Sequence, residues 1–225
     1  LLAASGGKAY EVDQSLMFDS GDSTELTKTF SSAGNRRTYT ISMWLKRTKL
    51  GVRQAFIYGG SDNENYTTYA DFSANDELDF VFYSTGSGVL GRLKTNRVFR
   101  DVASWYHVVL AMDTTQSTAG DRMRMYINGV EETSFATDTN PSLNADTHFL
   151  DDVKHYIGND DVDGYFNGYI AEVNVIDGSQ LTPSSFGETD AVTGQWIPKK
   201  YTGSYGTNGF YLPFKKNARY CVYFD

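Results

Sequence analysis

The sequence predicts an all-β protein built as a two-sheet antiparallel jelly-roll sandwich. Apolar and polar residues alternate with period two along many segments, and no comparable helical period recurs. Aromatic residues make up 15% of the chain, with 16 Tyr and 14 Phe, which favours pleated strands over helices. Roughly a dozen short strand candidates are punctuated by Gly, Asn, Asp or Ser, the spacing of sandwiches rather than of βαβ units. A chain of 225 residues with 40% hydrophobic content supplies one core, so a single domain is expected.

Taken in order, "TYTISMWLKR" places Tyr39, Ile41, Met43 and Leu45 on one face and Thr40, Ser42, Trp44 and Lys46 on the other. It reads as a strand with one buried side. "QAFIYG", "YTTYADF" and "ELDFVFY" follow as further strands. In "WYHVVLAMD", Trp105, Val109 and Ala111 oppose Tyr106, Val108, Leu110 and Met112, so both faces are apolar, as a central strand requires. Trp44 and Trp105 are expected in the core. "DRMRMYING" alternates Met123, Met125 and Ile127 with Arg122, Arg124 and Tyr126, and Asn128-Gly129 supplies the positive-φ pair of a type I′ hairpin turn. "GYIAEVNVID" sets Tyr169, Ala171, Val173 and Val175 against Glu172 and Asn174. The one helical signal is "LTPSSFGE", where Thr182 caps and Pro183 opens a single turn. "GFYLPF" and the terminal "RYCVYFD" complete the series, the latter echoing "QSLMFD" at residues 14–19. The expected organisation is an N-terminal arm over 1–12, a jelly-roll domain over 13–214, and a C-terminal strand or the start of a following segment over 215–225.

Charge and cysteine content exclude several classes. A net charge of -8 argues against a nucleic-acid partner, whose phosphates call for clustered Lys and Arg. No apolar run reaches the length of a membrane-spanning helix, so no membrane insertion is expected. Cys221 is the sole cysteine, which precludes an intrachain disulfide or a multi-cysteine metal site, and its neighbours Tyr220, Val222 and Tyr223 suit a packed strand thiol. The opening "LLAASGGKAY" has neither an initiator Met nor a signal-peptide layout, consistent with a processed chain or a piece of a longer one.

The succession of "YTISMWLKRT", "WYHVVLAMDTT", "RMRMYINGVEE" and "YIGNDDVDGYFNGYIAEVNVIDGSQLTP" resembles the laminin-G-like, pentraxin-like branch of the concanavalin A-like lectin sandwiches over about residues 13–183. The continuation "SSFGETDAVTGQWIPKKYTGSYGTNGFYLPF" over 184–214 is similar to a run in fibre and structural proteins of marine tailed phages. This resemblance implies a virion structural or adhesion module made in the host cytoplasm: a tail fibre, an appendage or a capsid decoration on the particle surface. Its partners would be copies of itself in a homo-oligomer, other virion proteins and, in host attachment, surface glycans.

Four site chemistries are weighed on the residues themselves. Sandwich glucanases carry paired carboxylates on one strand, and Glu77 and Asp79 have that spacing, but Phe80, Val81 and Phe82 follow where a third carboxylate belongs. His107, His148 and His155 are scattered and no serine or cysteine sits in a nucleophile elbow, so no enzyme is expected. Asn159, Asp161 and Asp163 before Gly164 have the spacing of a calcium loop, although Ile170 stands where an EF-hand needs its bidentate Glu. The "GGSDNENY" loop with Asp62, Asn63 and Glu64 is a second oxygen-rich candidate, and no cofactor is required for the fold. Carbohydrate binding needs an exposed aromatic platform flanked by Asp, Asn or Gln, for which Tyr66, Tyr69, Tyr165, Trp196, Tyr201 and Tyr205 are the candidates. The last reading is a packing wall, to which the tyrosines and the "YTGSYGTNG" tail are suited, the tail serving as an interface or as a clasp along the sandwich. Non-enzymatic adhesion with glycan binding is the leading expectation; a secreted calcium-dependent lectin module and a sandwich glycoside hydrolase are the alternatives.

Overall fold

The computed structural model describes residues 10–60, 66–162 and 164–215. In chain order the first strands are β1 (Leu16–Phe18), β2 (Leu26–Thr29), β3 (Thr38–Arg47), β4 (Gln54–Gly59), β5 (Tyr66–Phe72) and β6 (Glu77–Ser84). Next come β7 (Gly88–Val98), β8 (Tyr106–Asp113), β9 (Met123–Ile127), β10 (Val130–Glu131) and β11 (Phe135–Thr139). The last are β12 (Lys154–Ile157), β13 (Gly168–Asp177), β14 (Gly187–Thr189), β15 (Trp196–Pro198) and β16 (Phe210–Leu212). Sheet A runs β1-β13-β3-β8-β9-β10, with β16 also hydrogen-bonded to β13; sheet B runs β11-β7-β6-β5-β4-β12-β2. All pairings between these strands are antiparallel, and sequence neighbours are distributed over two facing layers, as a jelly roll requires.

The core between the layers follows the alternation read from the sequence. Tyr39, Ile41, Met43 and Leu45 of β3, Val108, Leu110 and Met112 of β8, and Met123, Met125 and Ile127 of β9 all point inward against Phe56, Phe72, Leu78, Phe80 and Leu93 of sheet B. The Asn128-Gly129 turn has φ of 50° and 84°, the pair of positive angles expected of a type I′ hairpin.

Three expectations are corrected. First, β3 is buried on both sides: Thr40 and Ser42 are inaccessible because residues 178–205 fold back over the outer face of sheet A. Phe186, Leu181, Tyr201 and Tyr205 build a second small core there with Val109, Ala111, Tyr126 and Ile176. Second, Tyr169 and Ala171 do not share a face with Val173 and Val175. The β13–β3 register shifts between Ala171 and Asn174, where Glu172 adopts φ 51°. This extra residue is a β-bulge, and it turns Ile170, Val173 and Val175 inward while Ala171 and Asn174 face out. Third, the turn at Pro183–Ser185 is 3-10, and Thr182 makes no side-chain cap to it. The N-terminal arm to residue 9, Asp62, Asn63, Glu64, Asp163, Cys221 and the tail from 216 onward lie outside the described residues.

Candidate functional site

The outer face of sheet A carries a row set by strand register. Ala171 of β13 pairs with Trp44 of β3, which pairs with His107 of β8. Trp44 stacks on the His107 imidazole at 4.8 Å between centroids. From the returning chain, the indole Nε1 of Trp196 donates to His107 Nδ1 at 2.9 Å. Indole N–H is a donor only, so Nδ1 is the acceptor and the imidazole proton sits on Nε2. That proton faces Ser42 Oγ, 2.9 Å away, so the hydroxyl receives a hydrogen bond and has no base to activate it. A serine-histidine contact here is therefore a fastening and not a nucleophile. Burial holds His107 neutral and pushes its pKa down to about 3.

Beside this row lies a cleft of about 290 Å³ lined by Val12, Asp13, Gln14, Ser15, Trp44, Trp105, Ala171 and Pro198. Both tryptophans are half-buried and offer ring surface to the cleft, which corrects their placement in the core. The pattern of β3 already held this signal, because Trp44 shares the polar face with Thr40, Ser42 and Lys46. Asp13 at the rim pairs with Lys215 at 3.1 Å. Tyr10 fixes the adjoining N-terminal segment: its hydroxyl donates to Glu172 Oε2 at 2.9 Å, and Tyr211 donates to the same carboxylate. The arrangement offers flat apolar ring faces flanked by a carboxylate, an amide and a hydroxyl, the surface that a sugar's C–H face and hydroxyls complement.

Sheet B presents a different outer face, a lattice of ion pairs. Asp71 and Asp79 oppose each other across β5 and β6. Arg53 donates to Asp71 at 2.5 Å and also to Asp160, while Arg92 grips Asp79 with Nε at 2.9 Å and with Nη2. Burial raises the Asp71 carboxyl to about 6, opposed by Arg53. Glu77 is bound by Lys94 at 2.6 Å, which holds its pKa below the ordinary value. Glu77 and Asp79 do share a face, as their spacing predicts. Each is paired with its own cation, and Glu77, held ionised by Lys94, cannot serve as the acid of a glycosidase.

The six aromatic candidates do not converge. Tyr69 lies in sheet B under the Arg53 guanidinium, 5.2 Å from its ring, in a row with Tyr58. Tyr66 starts β5, is exposed, and stacks on His148 at 5.1 Å. Tyr165 bridges to Ala55 in the connection before β13. Trp196, Tyr201 and Tyr205 belong to the cover on sheet A, where Tyr201 and Tyr205 pack edge to face at 5.2 Å. At the proposed calcium rim, Asn159 donates its amide to Glu25 at 2.6 Å, and its buried Oδ1 has no hydrogen-bond partner among the described residues. Asp161 has φ 71°, and among the described residues no group of three or more His, Cys, Asp or Glu comes together to hold a metal. No described helix is long and apolar enough to cross a membrane.

Comparison with known proteins places this geometry. No curated protein sequence matches the chain. Among solved structures, a native heptameric SAP-like pentraxin from Limulus polyphemus is similar at 14% identity, with a TM-score of 0.51 over 83% of this chain and 87% of that one. Domains LG4-5 of the mouse laminin alpha1 chain match at 14% identity and TM-score 0.48, over 70% of this chain and 40% of that one. A carbohydrate-binding module, CBM40 of the Ruminococcus gnavus IT-sialidase, matches at 14% identity and TM-score 0.49, over 72% and 95%. At the level of families, the laminin G profile described as "Concanavalin A-like lectin/glucanases superfamily" matches residues 18–185.

Proposed function

Since the chain belongs to the laminin G-like family of the concanavalin A-like lectin/glucanase superfamily, which accounts for more than half of its length, we propose that it is a non-enzymatic glycan-binding module whose contact surface is the Trp44–Trp105 cleft. The observation that carries this reading is the pair of half-buried indoles opening beside Asp13, Gln14 and Ser15. Binding is by stacking and hydrogen bonding, with no bond broken. The paired state of Glu77 and Asp79 and the proton on His107 Nε2 leave the two plausible catalytic arrangements without a working acid or base. A panel of oligosaccharides titrated against tryptophan emission tests the proposal. Trp105→Ala is expected to weaken the best ligand about fivefold, the loss of roughly 1 kcal/mol of aromatic stacking. Absence of saturable binding across the panel, or full affinity in Trp105→Ala, overturns it.

The likeness of residues 184–214 to marine tailed-phage proteins supports a finer reading, in which the module sits on a virion and addresses host-surface glycans. Electron microscopy of the native assembly tests that location directly. Calcium at Asn159, Asp161 and Asp163 belongs to the proposal on one ground, the orphaned Oδ1 of Asn159. A melting temperature lower in chelator than in added calcium sustains it, and superimposable curves remove it.

A further inference from the structure

A second cavity lies away from the tryptophan cleft, where the sandwich is not closed by hydrogen bonds. It has a volume of about 380 Å³ and lies between β2, the last strand of sheet B, and β16 on the flank of sheet A. This falls within the roughly 300–1,000 Å³ of small-molecule sites. Leu26 and Phe30 form one side, Phe210 and Leu212 the other, and the buried Ile57, Phe149 and Ile157 complete the apolar lining. The imidazole and the amide nitrogen along it are already engaged. His155 Nε2 accepts from the Leu150 N–H at 2.8 Å, which places its proton on Nδ1, directed at the Val153 carbonyl 2.8 Å away. Asn208 Nδ2 donates to the Ser32 and Leu150 carbonyls. Nothing inside therefore calls for a polar occupant. At the mouth stands Lys28, exposed and without an ion pair among the described residues.

We infer that this slot binds a straight-chain monocarboxylate, with its alkyl chain between β2 and β16 and its carboxylate at Lys28. Two strands form its long sides, and a four-residue strand such as β2 extends about 13 Å, a shape that suits a chain better than a compact ring. The apolar walls supply affinity in proportion to the length buried. Lys28 supplies a preference for an anionic head over a neutral one. The site is separate from the glycan surface and does not depend on it.

The test uses the whole chain and the emission of cis-parinaric acid, displaced by saturated monocarboxylates below their micelle concentrations. Saturable uptake is expected, tightening about fourfold per added methylene until the slot is full. Leu212→Arg and Leu26→Arg should each abolish uptake in chains that circular dichroism shows to be folded, at a melting temperature below the parent's because both leucines pack against the core. Lys28→Gln should weaken carboxylates about two- to fivefold and leave alcohols of equal length unchanged. The proposal is overturned by flat titrations or by uptake that persists in both arginine variants. It is likewise overturned if Lys28→Gln leaves the affinity for carboxylates unchanged. Oligosaccharide binding is measured on the same variants, and its failure in the parent chain leaves the alkyl result intact.

Discussion

A Cβ added at Gly187 would stand 2.5 Å from the Trp196 indole, and one at Gly129 would stand 2.6 Å from it. Trp196 is thus wedged between the two glycines, with its N–H on His107, and this ring fastens the returning chain to sheet A alongside the Thr40 hydrogen bonds and the small core around Phe186. Gly187→Ala is expected to cost about 1–3 kcal/mol through overpacking. The same change in a Trp196→Ala background should cost less than half as much, measured by denaturant unfolding of the four proteins of the cycle. Additivity of the two substitutions would show that the wedge is not what the glycine accommodates. The sequence marked Trp196 as aromatic and loop-borne, which suited a platform equally well. Only the partner, a histidine 89 residues away, makes it a fastening, and no local pattern encodes that distance. Trp44 did leave a local signal, its place among polar neighbours, but its position inside a strand led to the core expectation that the structure corrects.

At the scale of elements, the ends of β3, β5, β6 and β7 are tied by one buried pair. The Arg47 guanidinium is inaccessible, lies 4.4 Å from the Phe72 ring, and donates to Asp76 Oδ1 at 3.0 Å and the Phe99 carbonyl at 2.7 Å. Burial alone would raise the Asp76 carboxyl, but donors from Gly51, Arg100 and Arg47 outweigh it and lower its pKa. Asp76→Ala strands a buried cation and should cost about 3–5 kcal/mol, read from the urea midpoint. A loss below 1 kcal/mol would mean that the guanidinium finds water. Tyr211→Phe removes one of the two hydroxyls on Glu172 at the β13 bulge and should cost about 1 kcal/mol. Strands with strict alternation, β3 and β9, were readable because one inward face repeats every second residue. β7 was not, because its sequence "GVLGRLKTNRV" buries Gly91 and Thr95 beside Leu93, small or polar residues that carry no hydrophobic signal. The bulge also left no trace, since a positive φ at Glu172 contradicts the preference of its residue type.

For the molecule as a whole, three buried groups dominate the response to mild acid, above the range in which the carboxylates with lowered pKa values titrate. His107 and His155 have pKa values pushed by burial from 6.5 to about 3 and about 4, so the unfolded chain takes up two protons that the native state refuses. Asp71, raised by burial from 3.8 to about 6, works in the opposite sense, because the native state protonates first. Between about pH 6 and pH 4 the unfolded state therefore binds one proton more, and stability should fall by about 1.4 kcal/mol per pH unit. Chemical denaturation at half-unit steps checks the slope, and a flat profile across that window would contradict the burial of the two imidazoles. The sandwich class was visible in composition and alternation alone. The cover over sheet A was legible only as one of two roles for the aromatic tail, an interface or a clasp along the sandwich, and the polar face of β3 that it covers decides for the clasp. The three tryptophans of the chain, Trp44, Trp105 and Trp196, all lie on that covered side, and none lines the alkyl slot. Intrinsic ultraviolet emission is consequently a one-sided reporter: it should register a sugar arriving at the indoles and stay dark to an acyl chain entering the far seam.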